Sequence, residues 1–597
     1  MQGLEVTVLL GLAILVGTLL APRLRIATPL VLVVIGLLLG FVPPLREIQL
    51  PPETVLLLFL PVMLFWESLT TSLRAIRRSL RYIVPMSTLL VAASAFGVAW
   101  IATLFGMPWP TALLLGAAVA PPDATAVAAL GRLLPQRMFM KLKAESLTND
   151  GTALVLYAIA LSLALGENVT GWSITMSLLV SYLGGAAAGI AVAALAYVTL
   201  RRLRSAIAIN TTLLLVPFLA FLAAETVHAS GVLAVVFAGL IIASTLSHIT
   251  TASSRRQAIA AWPFGVYLLN GALFVLIGLE VQYVVHDVPL RLIGTLLLLT
   301  VSAWGVLIVV RYLFQLLFAP FSRPAGASRF GHHRGRVVST VAGFRGAVSL
   351  AIALSVPDSV AGAGDLSGRD AVVFVTAGVI LLSLLVQGPL LPAILRWARL
   401  PHDATAEDEY ELAQRAISGA ALAALDDLAA EHGISEEVRD RARREGYEQL
   451  ELANARAYAR QTTGDDGQIA ELESMLTDSS APDTGPVGAV SDEGEPIFVV
   501  PDAAGDVEGT SGPTSDTTAF APSLRILAVS EDIDVTQRSP LVRFEEATRL
   551  KLALLDRKRD VLLRLRREGT VDDLVVRRVE GQLDFEELRV RGIEQTS

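Results

Sequence analysis

The sequence predicts an all-α polytopic membrane protein of about 13 transmembrane helices, with inverted repeats and two crossing broken helices, plus a mostly helical and partly disordered cytoplasmic tail. Three observations carry this expectation. The 597-residue chain is 53% hydrophobic and only 17% charged, whereas soluble proteins carry roughly a quarter charged residues. Its apolar residues gather into runs of membrane length. Its charge is divided: residues 1–400 hold 26 Lys/Arg against 14 Asp/Glu, and residues 401–597 hold 22 against 42. A cationic membrane body precedes an acidic tail that offers no basic patch for nucleic acid. The absence of cysteine excludes disulfide scaffolds, thiolate metal sites and cysteine nucleophiles.

Apolar runs of about 20 residues, enough to cross a ~30 Å hydrocarbon core, fall near 4–21, 27–43, 53–69, 83–105, 110–130, 145–166, 173–199, 207–226, 230–246, 262–283, 289–317, 336–356 and 370–394. The first opens Met1-Gln2-Gly3-Leu4-Glu5 without a basic flank, so it reads as a retained helix and not a signal peptide. Loops after odd-numbered runs, with their flanks, hold Arg23, Arg25, Arg74, Arg77, Arg78, Arg81, Arg132, Arg137, Lys141, Lys143 and further arginines through Arg255, Arg311 and Arg336. The opposite loops hold only Arg46, Arg291 and Arg369. The positive-inside rule then places the N-terminus outside and the tail inside a bacterial plasma membrane. Divided as six, one and six, the first and eighth spans start on opposite sides, which is the relation of an inverted repeat.

The fifth spans of the two halves match. One carries Ala120-Pro121-Pro122-Asp123 at mid-depth and the other Gly343-Phe344-Arg345-Gly346. Paired helices broken by Pro or Gly at corresponding places point to a transporter's binding site at the membrane midplane.

Ionisable residues inside a membrane are costly, and each is a functional candidate: Glu67, Asp123, Glu145, Asp150 and Arg345. On a helix Ser146, Asn149 and Asp150 share one face, while Glu145 points elsewhere. A carboxylate, an amide and a hydroxyl aimed at one point are hard oxygen ligands suited to small cations. With Asp123 and the carbonyls freed around Pro121 and Pro122, they could replace a monovalent ion's hydration shell. Two carboxylates in close, dry contact resist double ionisation, so a proton and a cation compete for the same oxygens. That is exchange chemistry. Glu145 and Asp150 could instead cap a helix start. Arg345 is expected to be structural, with Glu145 as its partner.

The set Ala120-Pro121-Pro122-Asp123-Ala124, Glu145-Ser146-Leu147-Thr148-Asn149-Asp150-Gly151 and Gly343-Phe344-Arg345-Gly346-Ala347-Val348-Ser349-Leu350 resembles the monovalent cation:proton antiporters of the NhaP and sodium/proton exchanger branch. The resemblance spans nearly all of residues 1–400. It implies a thirteen-helix homodimer with a dimerisation domain and a six-helix transport domain moving as an elevator. It implies that Asp150 binds cation and proton alternately, assisted by Asp123 and Ser146. The Asn149–Asp150 pair matches electroneutral members, Glu145 and Arg345 match a buried ion pair, and Glu67 sits where relatives carry an acid reaching the site through water. The Pro-Pro-Asp of the fifth span departs from the Thr-Asp-Pro of many members. The transported Na⁺ or Li⁺ and the proton are cargo, and no cofactor is implied.

The tail divides into a helical segment at 401–463, a disordered linker at 464–522 and a second helical segment at 523–597. Within the last, Val561–Arg589 looks like the cytoplasmic extension of some bacterial members. The acidic sign of the tail as a whole makes autoregulation against the basic inner loops an expectation. The function read from the sequence is exchange of Na⁺ or Li⁺ for H⁺. K⁺/H⁺ or Ca²⁺/H⁺ exchange on the same fold is the alternative, since ligand distances set selectivity. An intramembrane hydrolase is the remote one: His228, His248 and His286 fall at span ends, and no HExxH is present.

Overall fold

A computed structural model describes residues 2–24, 26–42, 55–123, 134–166, 170–287, 289–318, 329–357, 360, 368–400, 405–463 and 540–596. The linker expected at 464–522 lies outside them. All elements among the described residues are helical.

The membrane helices are α1 (Gln2–Leu24), α2 (Thr28–Leu39), α3 (Leu60–Leu69), α4 (Leu73–Ser87), α5 (Leu89–Leu104), α6 (Trp109–Val119), α7 (Gln136–Ala164), α8 (Gly171–Leu179), α9 (Gly185–Leu200), α10 (Ala206–Glu225), α11 (Gly231–Ile249), α12 (Ala252–Asp287), α13 (Leu290–Leu317), α14 (Arg329–Val341), α15 (Ala347–Leu354), α16 (Arg369–Leu382) and α17 (Gly388–Ala398). Each of the thirteen apolar runs carries a helix. Among the described residues, eight helical stretches are long and apolar enough to cross a membrane, and four shorter ones lie at Thr28–Leu39, Leu57–Leu69, Trp109–Val119 and Gly231–Leu246.

Punctuation in the sequence sets many of the ends. Pro occupies the first turn of α2, α3 and α6, where its missing N–H costs nothing. Gly106 and Gly166 take positive φ just past α5 and α7, closing those helices as only glycine does cheaply. Thr170 and Ser173 exchange hydrogen bonds as a capping box for α8.

Glycine also sets the spacing. A Cβ on Gly36 or Gly278 would collide with the other helix's backbone, so α2 and α12 cross in direct contact. Gly116 against Ala95 does the same for α6 and α5, and Gly189 against Ala234 for α9 and α11. Small residues substitute here for a hydrophobic driving force that lipid does not provide. Two apolar cores result, one drawing on α2, α5, α6, α13 and α16 and the other on α3, α9, α10 and α11. Leu154 of α7 packs against both.

The C-terminal tail contributes α18 (Thr405–Ala423), α19 (Leu425–Glu431), α20 (Glu436–Thr463), α21 (Pro540–Glu568) and α22 (Asp573–Thr596). The chain forms two compact units, one of residues 1–410 with 565–589, the other of 411–564 with 590–597. The second has its own small core of Leu425, Ala429, Val438 and Leu550, and Glu546 accepts hydrogen bonds from the Ser435 backbone and hydroxyl.

Within the first unit, α22 docks on the basic loops that carry Arg74 and Arg255. Arg255 grips Asp584 through two hydrogen bonds of 2.6 and 2.5 Å. Asp573 accepts from Ser72 at 2.9 Å and from Arg566 at 2.7 Å, Arg74 donates to the carbonyl of Val571, and Arg577 donates to that of Thr71. Burial pushes the Asp573 carboxyl up, but Arg566, Ser72 and Arg74 outweigh burial and hold it below its ordinary 3.8. A depressed carboxylate stabilises the docked state above that value and loses its contribution as pH falls below it. Asp584→Asn is expected to loosen α22, seen as faster tryptic cleavage at Arg577 and Arg578. Unchanged cleavage would mean the pair contributes nothing to docking.

Candidate functional site

The site is built where two interrupted helices meet. The first break follows α6. Two successive prolines have no N–H to donate and disfavour helix in the residue before them, so the chain leaves α6 at Ala120 and Pro121–Asp123 is non-helical. The second break separates α14 from α15, with Gly343–Gly346 non-helical between them. The two breaks are joined through their backbones: the N–H of Asp123 donates to the carbonyl of Phe344 at 2.8 Å.

Each glycine of the second break makes room for a charge. A Cβ on Gly343 would lie 3.0 Å from Nε of Arg311. A Cβ on Gly346 would fall on the Asp123 carboxylate itself. Gly346→Ala is therefore expected to displace Asp123 and remove most cation-driven proton flux in proteoliposomes. Near-normal flux would show that the Asp123 position is not required.

Helix α7 supplies the rest. Asn149, fully buried, donates from Nδ2 to the carbonyl of Pro122 at 3.0 Å, which ties α7 to the first break. That bond turns its Oδ1 the other way, where it is buried and, among the described residues, meets no donor. Ser146 and Asp150 stand on the same helical face, each 4% exposed. The charges of Asp123 and Glu67 both reach Asp150, and Glu67 on α3 is half-buried. Thus Asp150, Asp123, Asn149, Ser146, Pro122 and Glu67 are neighbours. Pro121 is buried in the first break.

The expected pairing of Glu145 with Arg345 does not form. Glu145 is held by Arg311 of α13, with Nη1–Oε1 at 2.6 Å and Nη2–Oε2 at 3.0 Å. Both side chains are almost wholly buried, and Arg311 Nε donates to the carbonyl of Ser339 on α14. The guanidinium fork satisfies both carboxylate oxygens at once, which a buried ion pair requires. Arg345 donates instead to the carbonyls of Gly343 and Phe344, 3.3 and 3.4 Å away, and its backbone N–H donates to Ser383 Oγ. Ser383 opens a π-helical turn, Ser383–Gln387, of the kind that re-aims side chains at functional sites.

Sequence reasoning missed Arg311, counting it as an inner-loop flank. The signal was there: it lies inside the apolar run 289–317, followed by Tyr312-Leu313-Phe314. It also missed Lys143, whose Nζ donates to Thr70 Oγ1 at 2.6 Å and whose charge bears on Glu67.

Two broken helices joined at a buried cluster of carboxylate, amide and hydroxyl oxygens, in a bundle of membrane-length helices, define a multi-pass secondary ion transporter. The chain belongs to the transmembrane sodium/hydrogen exchanger family, which matches residues 10–397. It is a cation/proton antiporter and not an enzyme. An uncharacterized Na⁺/H⁺ exchanger of Mycobacterium tuberculosis strain H37Rv is 34% identical over 98% of this chain and 96% of its own. The low-affinity Na⁺/H⁺ antiporter NhaS1 of Synechocystis is 28% identical over 66% and 74% respectively. The fold is that of the sodium proton antiporter MjNhaP1 from Methanocaldococcus jannaschii at pH 8, with a TM-score of 0.52, 18% identity, and coverage of 66% of this chain and 99% of that one.

Proposed function

We propose that the protein exchanges one Na⁺ or Li⁺ for one H⁺, with Asp150 as the shared site. The observation that carries this reading is the buried Oδ1 of Asn149, without a donor among the described residues and one residue from the buried carboxylate of Asp150. A buried acceptor left without a donor is costly, and a dehydrated cation is the partner that removes the cost. Asp150, Asn149 Oδ1, Ser146 and Asp123 form the ligand set, and Glu67 connects it to the inner solvent. The proton binds the same carboxylate when the cation leaves. Because Asn149 is neutral, one titrating carboxylate carries one positive charge each way, and the cycle is electroneutral.

The bundle of α4–α7 with α13–α17 moves against α1–α3 and α8–α12, as an elevator in a homodimer. The distribution of Arg and Lys supports an N-terminus outside and a tail inside the bacterial plasma membrane. Na⁺, Li⁺, K⁺ and Ca²⁺ should be titrated against an imposed pH gradient in proteoliposomes. Na⁺ or Li⁺ should collapse the gradient, with a rate unaffected by a potassium-diffusion potential. Collapse by K⁺ or Ca²⁺ alone would replace the substrate, and a potential-dependent rate would overturn one-for-one exchange.

A further inference from the structure

We propose that the cavity beside the distal half of α7 is the outer vestibule of the exchange path, and that Glu225 at its rim recruits the cation there. The inference rests on the exchange function proposed above and on the orientation that goes with it. The cavity encloses about 540 Å³ between α7, α8, the end of α10 and the turn before α11. It lies toward the C-terminal end of α7, away from Lys141 and Lys143 and hence on the outer side.

Its α7 wall is continuous with the ion site. Asp150, Leu154, Ala158 and Ser162 follow at four-residue intervals along one stripe of the helix, and the last three line the cavity. What separates them from Asp150 is apolar. Leu233 of α11 sits on Gly151, where a Cβ would come within 2.8 Å of its side chain, and Leu154 joins both cores. This leucine contact lies between α7 and α11, the helices that slide past each other in the elevator movement proposed above.

The opposite wall is a hydroxyl ladder. Ser173, Ser177 and Ser181 recur every four residues on an otherwise apolar stretch, and all three line the cavity. Ser173 bonds its own helix start at Thr170, the usual local use of such a hydroxyl. Among the described residues, the hydroxyls of Ser162, Ser177 and Ser181 enter no protein hydrogen bond, so they present open oxygens to the cavity. Glu225 ends α10 at the rim, exposed, and His228 is near enough for its charge to act on the Glu225 carboxylate. His228 is fixed beside it by a left-handed φ of 52° and a backbone bond to the Glu225 carbonyl. One carboxylate over a cleft of neutral oxygens attracts a partly hydrated monovalent cation and raises its local concentration.

The test uses vesicles of both orientations and a chain that has no native cysteine. Glu225→Gln should raise the half-saturating Na⁺ concentration about tenfold when Na⁺ is supplied from the outer side, and leave the inner value within about twofold. No outer shift, or equal shifts on both sides, overturns the recruiting role. Ser177→Cys should be labelled by a charged, membrane-impermeant thiol reagent from outside. Labelling only from inside, or only by a lipid-soluble reagent, overturns the vestibule, the latter by showing a lipid-filled cleft. The labelling needs no transport, so a failure of Na⁺ exchange in the wild type would be read separately.

Discussion

Asp150→Asn is expected to reduce cation-driven proton movement to the level of protein-free liposomes while the protein stays folded. The substitution keeps side-chain shape and removes the carboxylate on which proton and cation alternate in the proposed cycle. Asp150 lies in a packed face with Ser146 and Asn149, 4% exposed, and the amide fills the same space, so melting temperature and yield should remain close to wild type. Saturable exchange surviving in this variant would refute the assignment of Asp150. A collapse of folded yield would show that its charge is structural.

Arg311→Ala is expected to destabilise the protein by about 3–5 kcal/mol, because it leaves the Glu145 carboxylate buried without its counter-charge. The same change frees the carbonyl of Ser339 and opens space beside Gly343. Thermal melting in detergent should show the loss. Glu145→Gln in the same chain should recover part of it, since a neutral amide tolerates burial better than an orphaned carboxylate. Arg345→Ala should behave differently: Glu145 keeps its partner, so a double-mutant cycle between Arg345 and Glu145 should give a much smaller coupling than one between Arg311 and Glu145. A large coupling there, with Arg311→Ala silent, would reverse the pairing.

The breaks were legible because Pro and Gly act locally. Pro121 and Pro122 cannot continue a helix, and Gly343 and Gly346 stand where a side chain has no room, so the sequence alone located both interruptions and the face of α7 opposite them. Helical arithmetic also placed Ser146, Asn149 and Asp150 together. It could not say which neighbouring helix meets Glu145, since that face is set by tertiary crossing angles. Arg311 and Arg345 were both at plausible depth, and a charge six residues from the end of an apolar run reads as a loop flank until packing buries it. The docking of α22 was visible only as a sign, acidic tail against basic loops. The pairing of Arg255 with Asp584 spans 329 residues, and no local rule selects it.

The most direct test of the central claim is proton release on Na⁺ binding to the purified protein in weakly buffered detergent solution. Competition at Asp150 predicts one proton released per Na⁺ bound when the starting pH leaves the site protonated. It also predicts a half-saturating Na⁺ concentration that rises about tenfold for each unit of pH decrease in that range, and no release from Asp150→Asn. Na⁺ binding without proton release, or an affinity indifferent to pH, would contradict a shared site.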